Sequence, residues 1–293
     1  MVIYGTKIEG EIDLPYDFPE DAEYLHKITL SPKIPKQFSE ALCHKTYLHL
    51  SHGKKVYLGK DVSSDTLPSK RFWSFEVEGV GRFGWEQGDT TVYYDKVCES
   101  KLFGFWLAHS LMPIYLTLQR KAIILHASCV TIEDSAVLFI APSFGGKSTL
   151  AHAFLQQKYP LVSDDTVALY TTKDAIKCAA SVPYSRPYRT LSTLGDYTPV
   201  YEKRLVTPKA VYVLEKGAAD EAVTFDELRG IAKLTALHNN NLLYSFPHLR
   251  TMHLATMGEL IKQTAIVKLK RPWDLAQLPA LCTQIVSFTK ALT

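Results

Sequence analysis

Apolar positions in the first hundred residues recur in short runs bounded by Gly, Pro, Asp and Ser, a pattern of strands rather than helices. VIYGTKI (2–8), KVYLG (55–59), FWSFEVEG (72–79) and TVYYD (91–95) are rich in β-branched and aromatic residues. They predict a small antiparallel, β-rich domain over residues 1–100. The pattern then changes: LFGFWLAHSLMPIYLTL (102–118) is apolar almost all round. A helix of that kind either crosses a membrane or forms the buried centre of a large domain. The run falls just short of the roughly 18 residues of a membrane span and is interrupted by His109, Ser110 and Pro113, so a buried helix is expected.

Beyond it, strand and helix periods alternate. Ala122–Val130 and Ala136–Ile140 read as strands around a turn at Glu133-Asp134-Ser135. Lys147–Gln157 places Leu150, Ala151, Phe154 and Leu155 at helical spacing, and Leu161–Val162 and Thr166–Tyr170 return to strand. Ala210–Leu214 and Ala265–Leu269 are further strands, with helices near 224–237, 253–263 and 274–290. Strand, loop, helix and strand in that order make an α/β unit. The fold class is therefore α/β, with a second domain over 101–293. The boundary is placed near residue 100, and helix 101–118 could belong to either side.

Composition narrows the picture modestly. With 46% hydrophobic and 22% charged residues in 293, the chain is an ordinary globular protein of one large or two modest domains. Thirty-three basic against 30 acidic side chains leave +3, no reason to expect nucleic acid or an anionic membrane as partner. Cys43, Cys98, Cys129, Cys178 and Cys282 form no C-x-x-C pair, which argues against a disulfide framework or structural zinc. The opening MVIYGTKIEGEIDLP carries acids and lacks a continuous apolar run, unlike a signal peptide. Together these point to the cytoplasm. Oligomeric state is left open, a homo-oligomer included.

The strongest chemical signal is A-P-S-F-G-G-K-S-T at 141–149. It follows the Walker A pattern at Gly146, Lys147 and Ser148, with Ala141 in place of the first glycine. Small residues let successive N–H groups face phosphate oxygens, and the following helix N-terminus favours anions. Ser143, Phe144, Gly145, Gly146, Lys147, Ser148 and Thr149 are the nucleotide-binding candidates. In such a loop Lys147 reaches the β- and γ-phosphates of ATP and the Ser148 hydroxyl holds Mg²⁺.

Asp164 and Asp165 follow the strand Leu161-Val162-Ser163. One acid can bind Mg²⁺ while the other faces an acceptor hydroxyl, and neighbours on a strand point to opposite faces. Adjacent acids also suit a capped turn. His126, in A-I-I-L-H-A-S, reads by spacing alone as a hydrogen-bonded core residue.

L-H-A-S-C-V (125–130), A-P-S-F-G-G-K-S-T-L-A (141–151) and L-V-S-D-D-T-V (161–167) resemble, in order and separation, the catalytic domain of HPr kinase/phosphorylase. The resemblance covers about 45 residues strongly and more weakly the rest after residue 100. It implies a P-loop, HPr kinase-like catalytic domain using ATP and Mg²⁺. It also implies that Asp164 is the general base, that His126 lies beside it near the transferred phosphate, and that Asp165 is a metal-side or structural carboxylate. The loop departs from the G-D-S-G-x-G-K-S-E of true HPr kinases, the N-terminal portion differs from theirs, and their metal-binding Glu has only Glu202 and Glu215 as candidates. The opening I-Y-G-T-K-I-E-G-E-I-D-L-P (3–15) and the ending V-K-L-K-R-P-W-D-L-A-Q-L (267–278) are similar to the HPr-kinase-like proteins of lasso-peptide gene clusters. That likeness implies a kinase of a precursor peptide's C-terminal Ser, with Arg186, Arg189, Lys203 and Arg204 as candidates to meet a carboxylate or phosphate. An HPr-type regulatory kinase/phosphorylase, a kinase of free serine or another small hydroxyl compound, and a non-catalytic nucleotide-sensing module are the alternatives.

Overall fold

The computed structural model describes residues 1–10, 12–43, 45–51, 53–59, 72–186, 193–242 and 249–292. It is a mixed α/β chain whose contacts divide into two compact units, residues 1–119 and residues 120–189 with 194–293.

The first unit is built on a sheet of Val2–Ile3 (β1), Thr6–Glu9 (β2), His26–Pro32 (β3), Thr46–Ser51 (β4), Lys54–Leu58 (β5), Phe72–Val77 (β6), Gly81–Glu86 (β7) and Thr91–Lys96 (β8). Its order is β1-β2-β3-β8-β7-β6-β5-β4. The sheet is not wholly antiparallel as expected, because β3 runs parallel to both β2 and β8. The connection from β2 to β3 is far longer than a hairpin turn, and only such a connection lets neighbouring strands run parallel. Strand β7 escapes a propensity reading because it holds Gly81 and Gly84. Gly84 is required by packing: a Cβ there would lie 2.5 Å from the Phe38 ring. Phe38 belongs to helix α1, Lys36–Leu42.

The apolar segment forms α2 (Ser100–Trp106), a π-helical turn (Leu107–Leu111) and α3 (Met112–Leu118). Pro113 has no amide for the carbonyl one turn back, and the ladder widens just before it. The segment packs within the first unit. Phe103 sits 5.4 Å from Phe83 and Tyr115 5.5 Å from Trp85, ring centre to ring centre. The Gln119 side chain donates to the Glu86 carbonyl at 2.8 Å and accepts from the Gly88 amide at 2.7 Å. These contacts carry the first unit to Gln119, past the expected boundary near residue 100. Among the described residues no helix is long and apolar enough to cross a membrane.

The second unit holds Ile123–Leu125 (β9), Ala127–Ile132 (β10), Ser135–Ile140 (β11), helix α4 (Lys147–Gln156), Leu161–Ser163 (β12), Val167–Thr171 (β13) and Ile176–Ala179 (β14). There follow Tyr184–Ser185 (β15), Asp196–Tyr197 (β16), Thr207–Gly217 (β17), Thr224–Glu227 (β18), α5 (Ile231–His238), α6 (Arg250–Gln263), Ala265–Pro272 (β19) and α7 (Leu278–Ala291). The main sheet runs β12-β10-β11-β17-β19-β18, with β11, β17 and β19 parallel at its centre. A smaller sheet is ordered β14-β13-β9, and β15 pairs with β16.

Period-two alternation sends Val137 and Phe139 of β11 and Tyr212 of β17 to one face, where they meet Leu150, Ala151 and Phe154 of α4 and Leu281 and Ile285 of α7. Ala136, Leu138 and Ile140 go to the other face, against the smaller sheet and Leu237, Met257 and Leu260 of α5 and α6. Phe139 stacks between Phe154 and Tyr212 at 5.5 and 6.1 Å. Each such pair adds about 0.5–1.5 kcal/mol beyond burial, and here it holds the last turn of α4 against the sheet.

Two expectations are corrected. Ala122–Val130 is not one strand: it breaks at His126, and the pieces enter different sheets. The cause is distant, since the His126 amide donates to the Asn240 carbonyl at 2.7 Å and leaves the ladder there. The helix expected over 224–237 begins at Ile231, because Thr224–Glu227 pairs antiparallel with β19 and Gly230 at φ 54° separates the two.

His253 of α6 is fully buried and accepts at Nδ1 from the Asn241 amide at 2.8 Å. Burial lowers its pKa from 6.5 to about 4. Neutral in the fold, the ring takes up a proton on unfolding wherever the pH lies between those values. Its contribution is therefore complete above about 6.5 and is lost as the pH falls toward about 4, by at most about 3 kcal/mol. Urea midpoints should fall between pH 7 and 5, and His253→Gln should flatten that slope. A wild-type protein as stable at pH 5 as at 7 would contradict the burial of a neutral ring.

Candidate active site

Residues 141–146 join the end of β11 to the start of α4, and their geometry depends on small side chains. Gly146 stands at φ 80° as the residue before the helix. Left-handed backbone there favours glycine, and a Cβ would strike the Arg271 guanidinium and lie 3.2 Å from Trp273. A Cβ on Gly145 would lie 2.5 Å from that of Ala141. With Ala141 in place of the Walker glycine, position 145 has no room for a side chain. Phe144 takes φ 64° with its ring 83% exposed, a strain of about 1–2 kcal/mol for a residue with a Cβ.

Lys147 opens α4 and is buried. Its ammonium folds back on the loop, donating to the carbonyls of Ala141 at 2.9 Å and Pro142 at 3.3 Å. It also lies 3.1 Å from His126 Nε2. His126 Nδ1 lies 2.9 Å from the Asp165 carbonyl and 3.5 Å from its carboxylate. A carbonyl only accepts and an ammonium only donates. The assignment that satisfies both is a neutral ring with its proton on Nδ1 and the Nε2 lone pair toward Lys147. The break between β9 and β10 is what frees His126 to turn this way.

The two acids follow β12 and have different surroundings. Asp164 is 2% exposed. Its Oδ1 accepts from the Ser128 hydroxyl of β10 at 2.6 Å, and its Oδ2 accepts from the Arg186 amide at 2.8 Å. Asp165 stands at φ 83°, another strained position, and the Ser163 hydroxyl donates to the Thr166 carbonyl to close the turn beneath it. This backbone turns the Asp165 carbonyl toward His126 while the residue lines a pocket with Phe144, Gly145, Gly146, Lys147, Ser148, Thr149, Arg186 and Trp273. Asp165 is the only carboxylate among the described residues of that lining, against the cations Lys147 and Arg186. Ser143 is exposed and is not part of that lining.

Other candidates lie elsewhere. Burial would raise the Glu202 carboxyl, but the Arg204 guanidinium at 2.9 Å holds it below the usual range. Arg204 also reaches Asp134 at 2.9 Å, and Glu215 pairs with Lys268 at 2.7 Å. None of these, nor Lys203, lines the pocket. Arg189 lies outside the described residues.

Sequence reasoning missed Ser128, which braces Asp164, and Arg271 and Trp273, which arrive at the end of β19. Arg271 is 4% exposed, and its Nε has no hydrogen-bond partner among the described residues. Burial lowers its pKa. A buried cation beside a helix N-terminus favours an anion. The only signal was the Arg-Pro-Trp that follows a predicted strand.

The pocket can bind a polyphosphate and hold one carboxylate near it. Among the described residues no group of three or more His, Cys, Asp or Glu could form a metal cage. Magnesium seldom uses one; it keeps several waters and takes one or two protein oxygens together with phosphate oxygens. Ser148 and Asp165, on one pocket, are a donor set of that kind.

A family profile described as SynChlorMet cassette protein ScmC matches residues 95–266, more than half the chain. No curated protein matches it. Among solved structures, the Hpr(Ser) kinase/phosphatase from Coxiella burnetii is similar over 57% of this chain and 90% of its own, at 15% identity. The TM-score of that superposition is 0.36, too loose to carry an argument.

Proposed function

The chain belongs to the family of the SynChlorMet cassette protein ScmC, and from that premise we propose that it is an ATP-dependent kinase of a hydroxyl group. The observation that carries this reading is the convergence of Lys147 and Asp165 on one pocket at the N-terminus of α4. The second unit is read as a P-loop, HPr kinase-like domain and the first as its β-rich companion.

Binding comes first. The amides of residues 146–149 and the α4 dipole receive the phosphates of ATP, the Gly145 amide being held by the Pro142 carbonyl. Lys147 leaves the carbonyls of Ala141 and Pro142 for the β- and γ-phosphates, an exchange of one set of oxygens for a charged one. Ser148 and Asp165 would hold Mg²⁺, which when bound neutralises charge developing on the phosphate oxygens. Asp165, facing the pocket, takes the proton of the acceptor hydroxyl. The acceptor oxygen bonds to the γ-phosphorus, and the bridging oxygen leaves with ADP. His126 positions Asp165 through its carbonyl and keeps Lys147 from straying. Asp164, closed in by Ser128 and the Arg186 amide, fixes the turn that presents Asp165. This reading gives the base role to Asp165, where the family resemblance implies Asp164.

The acceptor proposed is the C-terminal serine of a precursor peptide. Its support is the likeness of both chain ends to lasso-cluster kinases and the departures from true HPr kinases. Arg186, lining the pocket, is placed to meet a terminal carboxylate or the new phosphate. The test offers γ-labelled ATP with a Ser-ending peptide, the same peptide extended by several residues, free serine and HPr. The Ser-ending peptide should be labelled well above the rest. Equal labelling of the extended peptide, or preference for HPr or free serine, would refute the terminal-serine acceptor and leave the kinase reading standing.

A further inference from the structure

Beside the pocket at the loop lies a second cleft, lined by Gly146, Thr149, Arg271, Trp273, Asp274, Leu275 and Leu278. The two share Gly146, Thr149 and Trp273, so they adjoin at the start of α4. Their chemistry differs. The first presents cations, a hydroxyl and a carboxylate, whereas the second is walled by an indole and two leucines. Trp273 is 43% exposed and Leu275 65%, an unusual amount of apolar surface to leave open beside a phosphate-binding loop. Arg271 and Lys216 lie 4.9 and 5.1 Å from the indole ring and hold it in place.

The second cleft touches the loop at Gly146 and Thr149 but not at Lys147, Asp165 or His126. It therefore lies away from the end where the γ-phosphate and the acceptor must meet. What projects in that direction from a bound triphosphate is the nucleoside. Resting on the kinase reading above, we infer that Trp273, Leu275 and Leu278 form the seat of the nucleotide base. The seat recognises a flat ring rather than its edge. Asp274 accepts from the Ala276 amide at 3.0 Å and from the Gln277 side chain at 3.3 Å, a cap on the turn before α7. Its carboxylate is thus engaged in the cap, and Arg271, although it lines the cleft, lies over the Trp273 ring. Purines are then accepted with little discrimination, because every base has a π-face.

The test is equilibrium binding to the full chain, without turnover, of Mg²⁺ with ATP, GTP or inorganic tripolyphosphate. Trp273→Ala should weaken ATP about 5- to 100-fold, as for loss of a base–aromatic contact, and leave tripolyphosphate unchanged. Trp273→Phe should recover most of the loss, and wild-type affinities for ATP and GTP should agree within about tenfold. Equal weakening of ATP and tripolyphosphate, or no weakening of ATP, would overturn the base seat while leaving the phosphate site intact. A strong preference for one purine would overturn recognition by stacking. A wild-type protein binding neither ATP nor tripolyphosphate would instead remove the kinase reading, and the seat with it.

Discussion

Lys147→Ala is expected to lower phosphoryl transfer by at least about 10³-fold and to weaken ATP binding, with the protein still folded. The size follows from the charge removed: electrostatic groups aimed at a reacting centre are each worth about 10²–10³ in rate, and Lys147 is also the main cationic partner of the phosphates in the ground state. Structure should survive because the ammonium bonds to the Ala141 and Pro142 carbonyls and His126, in the loop and its immediate neighbour rather than in the apolar core. Turnover and thermal midpoint measured on one preparation check this. Near-normal turnover would remove the phosphate-loop assignment.

The second large effect separates the two acids. Asp165→Asn should reduce turnover about 10²–10⁴-fold, the loss expected for a general base, and should weaken Mg²⁺-ATP, since the same carboxylate would hold the metal, while leaving metal-free ATP binding unchanged. Asp164→Asn should cost less than about tenfold. The amide oxygen can still accept from the Arg186 amide, and the Ser128 hydroxyl can reverse to accept from the new NH₂, so the turn keeps its shape. Asp164→Ala, by contrast, removes the acceptor of both the Ser128 hydroxyl and the Arg186 amide from a buried site and should lower the melting temperature. His126→Ala belongs between these, with a loss smaller than that of Asp165→Asn. A collapse of turnover in a fully folded Asp164→Asn, with Asp165→Asn active, would hand the base role to Asp164.

The sequence made local structure legible and left long-range placement hidden. Small residues at 141–146 and the 3.6-residue period from Lys147 marked the loop and α4, because both depend on neighbours in sequence. Asp164 and Asp165 have different surroundings, but they lie in the bend after β12, where the φ of Asp165 rather than strand alternation turns them apart. Which of them faces the pocket was not legible, since Ser128 and Arg186 decide it from other elements. His126 looked like the middle of a strand because L-H-A-S-C-V is apolar on both sides; the Asn240 carbonyl breaks it. Arg271 and Trp273 reach the loop only because β19 pairs in parallel with β17, and β17 with β11. No window of the sequence contains that pairing. The β3 crossover in the first unit was hidden for the same reason.

The central claim is that bound ATP is used for transfer to a hydroxyl rather than merely sensed. Its most direct test follows products from γ-labelled ATP and a Ser-ending peptide, with ADP and phosphomonoester counted together. One phosphoserine ester should form for each ADP, only when the acceptor is present and not with Lys147→Ala. Tight ATP binding with no ester on any hydroxyl acceptor, peptide or small molecule, would contradict it and make the protein a nucleotide-binding module.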